Sequence, residues 1–175
     1  MGSWRVVRND VYTWSYYGGA KEAYAGQFWA EPLWVWLCRR NPQVWKNWCV
    51  SKVAYQATIP YLLEQNDPTS TWTLCTGASG DNGSRPAASM TQGALYSMAN
   101  VACLDNADTN VRFNEVYLGL FVMAGAAADQ FGVMKASEFA IAYEKILARP
   151  DIKGCRVMVC LPEDLTELRF RKKLE

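Results

Sequence analysis

Histidine is absent from the chain. Its absence rules out Ser-His-Asp and Cys-His nucleophiles within one chain and leaves the common zinc spacings unbuildable. The six cysteines (Cys38, Cys49, Cys75, Cys103, Cys155 and Cys160) contain no CxxC pair, so they do not compensate. An excess of one charge is lacking as well. A formal net charge of +1 gives no electrostatic footprint for nucleic acid or an anionic membrane surface. No run is long and apolar enough to span a bilayer: the greasiest stretch, Phe28 to Cys38, is broken by Glu31 and Pro32 and falls far short of the ~20 residues required. The opening MGSWRVVRND has no apolar signal core. These absences together predict a cytoplasmic protein with reduced thiols, no metal, and neither a nucleic-acid nor a membrane partner.

Half of the 175 residues are hydrophobic and 13% are aromatic, enough for a single domain over residues 1–175 with one core. Val11 to Trp14 reads as a strand ending at Gly18-Gly19. Pro42 opens a long helix whose apolar spacing runs from Val44 to Leu63, with Pro60 near its far end. Asn66 to Ser70 is a loop, and Thr71 to Thr76 a short, largely apolar strand. Ala87 to Leu104 returns to helical spacing. Val111 to Leu118 is the next strand, Lys135 to Ala148 a helix, and Cys155 to Leu161 a last strand before a charged tail. The alternation of strand and helix predicts an α/β fold: a parallel sheet of about four or five strands flanked by helices.

The stretch TGASGDNG, Thr76 to Gly83, looks like a Gly-rich phosphate turn. A dinucleotide turn of the TGxxxGxG kind needs glycine at 77, 81 and 83, and position 81 is Asp81. A carboxylate there repels phosphate just where the backbone must approach it closely.

The residues that follow fit another plan. A strand, a loop, the helix PAASMTQGALYSMANVACLD and then VRFNEVYLG resemble the second half of the short-chain dehydrogenase/reductase family, whose strand after the catalytic helix reads like R-V-N-x-V-x-P-G. Arg112, Asn114, Val116 and Gly119 match that motif, and Leu118 stands at its proline. Asn47 followed by Pro60 resembles the helix carrying the family's structural asparagine. DVYTWSYYGG resembles the strand ending in Asn-Ala-Gly, with Tyr16 and Tyr17 replacing small polar residues. The resemblance runs from about Asp10 onward and implies a partial Rossmann-like fold.

In the family a tyrosine is the acid/base, a lysine lowers its pKa and holds the nicotinamide ribose, and a serine orients the carbonyl. Carried over, the Tyr site is Ala88, the Lys site Gln92, and the Ser site Cys75 or Thr76. Alanine transfers no proton, and glutamine supplies no charge to stabilise a phenolate. Few residues precede the first matched strand, so the resemblance implies a chain without the NAD(P)-binding half, no cofactor and no hydride chemistry. It also implies a homodimer through the two long helices, and something must cover the open edge of the Val11 to Trp14 strand: Trp4 to Arg8 or a second copy.

The family layout implies a cleft beyond the carboxyl ends of the strands. The catalytic candidates there are Asp81, Tyr17 and Cys75. The substrate-binding candidates are Trp14, Tyr16, Thr76, Ser79, Asn82, Gln92 and Tyr117. Glu115, mid-strand among apolar neighbours, is expected to be solvent-facing or paired. Two functions follow. One is a cofactor-independent isomerase, cyclase or lyase of specialised metabolism, acting on a hydrophobic small molecule in an aromatic pocket. The other is a non-catalytic binding or scaffolding subunit.

Overall fold

The computed structural model describes residues 42–83 and 85–174. The expected strand at Val11 to Trp14, the residues Trp4 to Arg8, the Trp-rich segment and the candidates Trp14, Tyr16 and Tyr17 lie outside the described residues. Helix α1, Pro42–Gln65, starts on the proline and tolerates Pro60 close to its end, where few turns remain to be disturbed. Asn66, with φ of 48°, turns the chain out of the helix.

Strand β1, Thr71–Gly77, leads through a single turn of helix, α2, Ser79–Asn82, into α3, Pro86–Asp105, which has proline in its first turn. Strand β2, Arg112–Leu118, follows. A small excursion then intervenes: β3, Val122–Met123, helix α4, Gly125–Phe131, and β4, Met134–Lys135, with β3 and β4 paired in parallel. Helix α5, Ala136–Ala148, returns the chain to β5, Cys155–Val159. A 3-10 turn, Pro162–Leu165, precedes β6, Arg169–Lys172.

The main sheet has the order β1-β2-β5-β6. β1 pairs in parallel with β2 from Thr71 opposite Arg112 to Gly77 opposite Leu118, and β2 in parallel with β5 from Asn114 opposite Cys155 to Leu118 opposite Val159. The α/β class and the helix-flanked, mostly parallel sheet are as the sequence predicts. The departure is β6, which runs antiparallel to β5 with Cys155 opposite Lys172. What reads as a charged tail is an edge strand, and Cys155 to Leu161 ends as a strand at Val159.

Each face of the sheet has its own core. On one, Leu95, Ala99, Ala102 and Cys103 of α3 pack on Leu74 and Phe113, with Trp48, Tyr55 and Trp72 alongside. Those helical positions recur at four, three and one, a single stripe. Trp72 stacks on Phe113 with centroids 5.3 Å apart. On the other face Ala142 and Ile146 of α5 pack on Val116, Val157 and Val159. β2 is buried on both faces, as a central parallel strand must be.

Two motif residues act as staples. Arg112 donates to the carbonyls of Ile146, Arg149, Leu147 and Thr69 at 2.8–3.3 Å. It thereby satisfies the C-terminal carbonyls of α5. Asn114 donates to Ile152 O at 2.9 Å and accepts from the Cys155 amide at 3.1 Å, fixing the β2–β5 register from within the core.

Candidate functional site

The carboxyl ends of β1 and β2 meet the α2 turn, and here the Gly-rich stretch shows its role. The Gly77 amide donates to Gln92 Oε1 at 2.7 Å, and the Gly77 carbonyl accepts from the Tyr96 hydroxyl at 2.6 Å. The amide of Ala78 is bound to Leu118 O, those of Asp81 and Asn82 to Ala78 O, and that of Gly83 to Ser79 O. A phosphate cradle works by converging free N–H groups, and five of these are engaged within the protein. Gly80 is there because a Cβ would lie 2.5 Å from the Tyr96 ring, and Gly83 because its φ is +65°.

The sheet alternation sends neighbours to opposite faces. Thr76, Glu115, Tyr117 and Arg156 share the α3 face. Glu115 has no accessible surface, yet it accepts from the Thr76 hydroxyl at 2.7 Å, from Arg156 at 3.0 and 3.1 Å, and from Lys173. A buried carboxylate persists only with such pairing. The Arg156 guanidinium lies 4.6 Å from the Tyr96 ring centroid and 5.2 Å from that of Tyr117, a cation packed against two rings.

At the outer rim of this group, exposed Asp81 lies beside the Tyr117 phenol, close enough to act on it. Burial first, and then the neighbouring Asp81 carboxylate, push the Tyr117 phenol above its usual value. Burial, reinforced by the Asp81 charge, does the same to Tyr96. Both phenols are therefore proton-bearing donors at neutral pH.

Cys75 sits on the other face, open to solvent at its surface and beside Tyr143 of α5. Burial of the sulfur raises the thiol, with the neighbouring Tyr143 hydroxyl opposing. Such a thiol is a poor nucleophile at pH 7.

Asp81 and Tyr117 are thus brought together at one edge of the sheet. Thr76 is 2% exposed and lies behind them as a partner of Glu115. Gln92 is held by Gly77, and the carbonyl of Ser79 accepts from the Ser89 hydroxyl at 2.5 Å. Asn82 closes α2 beside Asp81. Cys75 is separated from this group by the sheet. Sequence reasoning passed over Arg156, Lys173, Tyr96 and Tyr143. The one signal was Glu115, a carboxylate in an apolar strand, which demands buried cations somewhere in the chain.

The positions that hold a nicotinamide ribose in this plan do not fit the group. Ala88 has no hydroxyl, and the Gln92 amide oxygen is bound to Gly77. Among the described residues no cluster of His, Cys, Asp or Glu is arranged to hold a metal ion, and no helix is long and apolar enough to cross a membrane.

No family model and no solved structure matches the chain. The chain is 48% identical over 132 residues to the short-chain dehydrogenase/reductase iacG of Pestalotiopsis fici, a match covering 73% of this chain and 53% of that relative. It therefore spans about half the relative's length. With this identity, the matched strand motif and the helix-flanked parallel strands, the chain belongs to the short-chain dehydrogenase/reductase family.

Proposed function

We propose that the rim around Asp81 and Tyr117 promotes a cofactor-independent rearrangement (isomerisation, cyclisation or elimination) of a hydrophobic small molecule from a specialised pathway. The observation that carries this reading is the placement of the Asp81 carboxylate beside the Tyr117 phenol at the carboxyl edge, where the family's Tyr and Lys are replaced by Ala88 and Gln92. Asp81, exposed and ionisable, is the general base. Tyr117, kept protonated, donates to charge developing on the substrate. Arg156 and Glu115 hold the phenol in place from behind. Ser79 and Asn82, beside Asp81 on α2, supply the polar contacts, while the expected aromatic residues Trp14, Tyr16 and Tyr17 lie outside the described residues. The reading includes a homodimer through α1 and α3, supported by the open apolar side chains Val50, Val53 and Val101 on those helices.

The second reading, a non-catalytic binding subunit, rests on Ala88 and Gln92 alone. Separate Asp81→Asn and Tyr117→Phe variants, checked for folding by circular dichroism, distinguish the two when turnover is measured on intermediates from neighbouring biosynthetic genes. We expect a loss of about 10²-fold or more for Asp81→Asn and about tenfold for Tyr117→Phe. Turnover undiminished in both variants overturns the assignment. Binding without turnover by the unaltered chain favours the second reading.

A further inference from the structure

The opposite end of the sheet, where the strands begin, holds a half-open cavity of about 370 Å³ with no part in the rim chemistry. That volume lies within the range of small-molecule sites, roughly 300–1,000 Å³. It forms because α3 runs back along the sheet and ends above the start of β2, while β6 brings the final residues alongside the start of β5. Its floor is apolar: Cys103 and Phe113 are buried, and Leu104 and Leu174 stand open on the wall, 62% and 40% exposed. Burial holds the Cys103 thiol up to about 11, so the floor carries no charge at neutral pH.

The remaining wall sets two cations among the neutral Asn106, Ala107 and Gly154. Lys153 and Lys172 both line the cavity, and among the described residues no acidic side chain does. Each ammonium is anchored by one backbone carbonyl: Lys153 donates to Thr109 O at 2.7 Å, and Lys172 to Lys153 O at 2.6 Å. An ammonium carries three donors, so each retains N–H groups for a ligand. Asp151, which interacts with Lys172, is exposed and is not part of the lining.

We infer that this cavity binds an amphipathic monocarboxylate, its hydrocarbon lying on Cys103, Phe113, Leu104 and Leu174 and its carboxylate held between Lys153 and Lys172. An apolar floor alone would take any greasy molecule, and paired lysines alone would take any anion. The combination selects a molecule with one acidic end and one hydrocarbon end. The site is independent of Asp81 and Tyr117, which lie at the other edge of the sheet.

The test is calorimetric titration of the full chain with decanoate, and in parallel with 1-decanol, which keeps the hydrocarbon and loses the charge. We expect saturable decanoate binding that weakens at least tenfold in the Lys153→Gln/Lys172→Gln double variant and is lost in Ala107→Trp, which fills the cavity from an exposed wall position. Decanol should bind at least tenfold more weakly than decanoate. Should Ala107→Trp fail to fold by circular dichroism, Leu174→Glu sets a repelling carboxylate on the open wall and serves in its place. Absence of saturable binding, equal binding of decanoate and decanol, or binding unchanged in the lysine variant or in the filled one overturns the inference.

Discussion

At the scale of single residues, the departures from the family pattern are built into the structure as fixed parts. Gln92 stands at the lysine position, and its amide oxygen accepts the Gly77 N–H at 2.7 Å. Gln92→Lys, which restores the family residue, would replace that acceptor with a donor aimed at a donor. We expect a loss of about 1–2 kcal/mol in urea unfolding, and an unchanged midpoint would show that the Gly77 contact carries no stability. Asp81, Gln92 and Tyr117 were legible as neighbours because the family plan fixes which strand ends share an edge. That Cys75 and Thr76 face opposite ways follows from strand alternation alone. The partners of Glu115 were not legible: Arg156 and Lys173 lie 41 and 58 residues away along the chain. No local pattern encodes a pairing at that separation.

At the scale of elements, strong periodicity and clear turn residues made α1, α3, α5, β1, β2 and β5 readable to within a few residues. The elements missed were those with no period to read. β3 and β4 are two residues each. β6 reads RFRK, with Arg169, Arg171 and Lys172 outward and only Phe170 turned to the core. Charged side chains on an edge strand are how proteins discourage further strand pairing, so the residues that make β6 a good edge also disguise it as a tail. Phe170 packs on the α5-side core, and the Arg149 guanidinium lies 4.9 Å from its ring centroid. Phe170→Ala should therefore cost about 2 kcal/mol, below the range for a fully buried Phe because Phe170 is only half-buried. A change under about 0.5 kcal/mol in denaturant unfolding would mean that β6 adds little to the sheet.

At the scale of the whole molecule, two charged contacts tie the final residues back to the body of the fold: Lys173 to Glu115 under α3, and Arg169 to Asp164 beyond β5. The second makes a defined pH signature. Asp164 accepts from Arg169 at 2.5 and 2.8 Å and from the amides of Cys160 and Leu161 at 2.7 and 2.9 Å. The Arg169 bonds chiefly, and the two amides after them, hold its carboxyl at about 2, below the ordinary 3.8, against the opposing effect of burial. A carboxyl whose folded-state pKa is depressed stabilises the fold fully above the unfolded value. That stabilisation drains away as pH falls from about 4 towards 2, because the unfolded chain takes up the proton first. Asp164→Asn should thus be less stable than the unaltered chain at pH 7 by about 1–3 kcal/mol, and the gap should narrow steadily between pH 4 and pH 2. Comparing the two proteins cancels the titration of every carboxylate they share. Urea midpoints for both across that window decide it: a gap equally wide at both ends would mean that Asp164 stabilises the turn through shape and neutral hydrogen bonding, and that its charge does not hold the end of the chain in place.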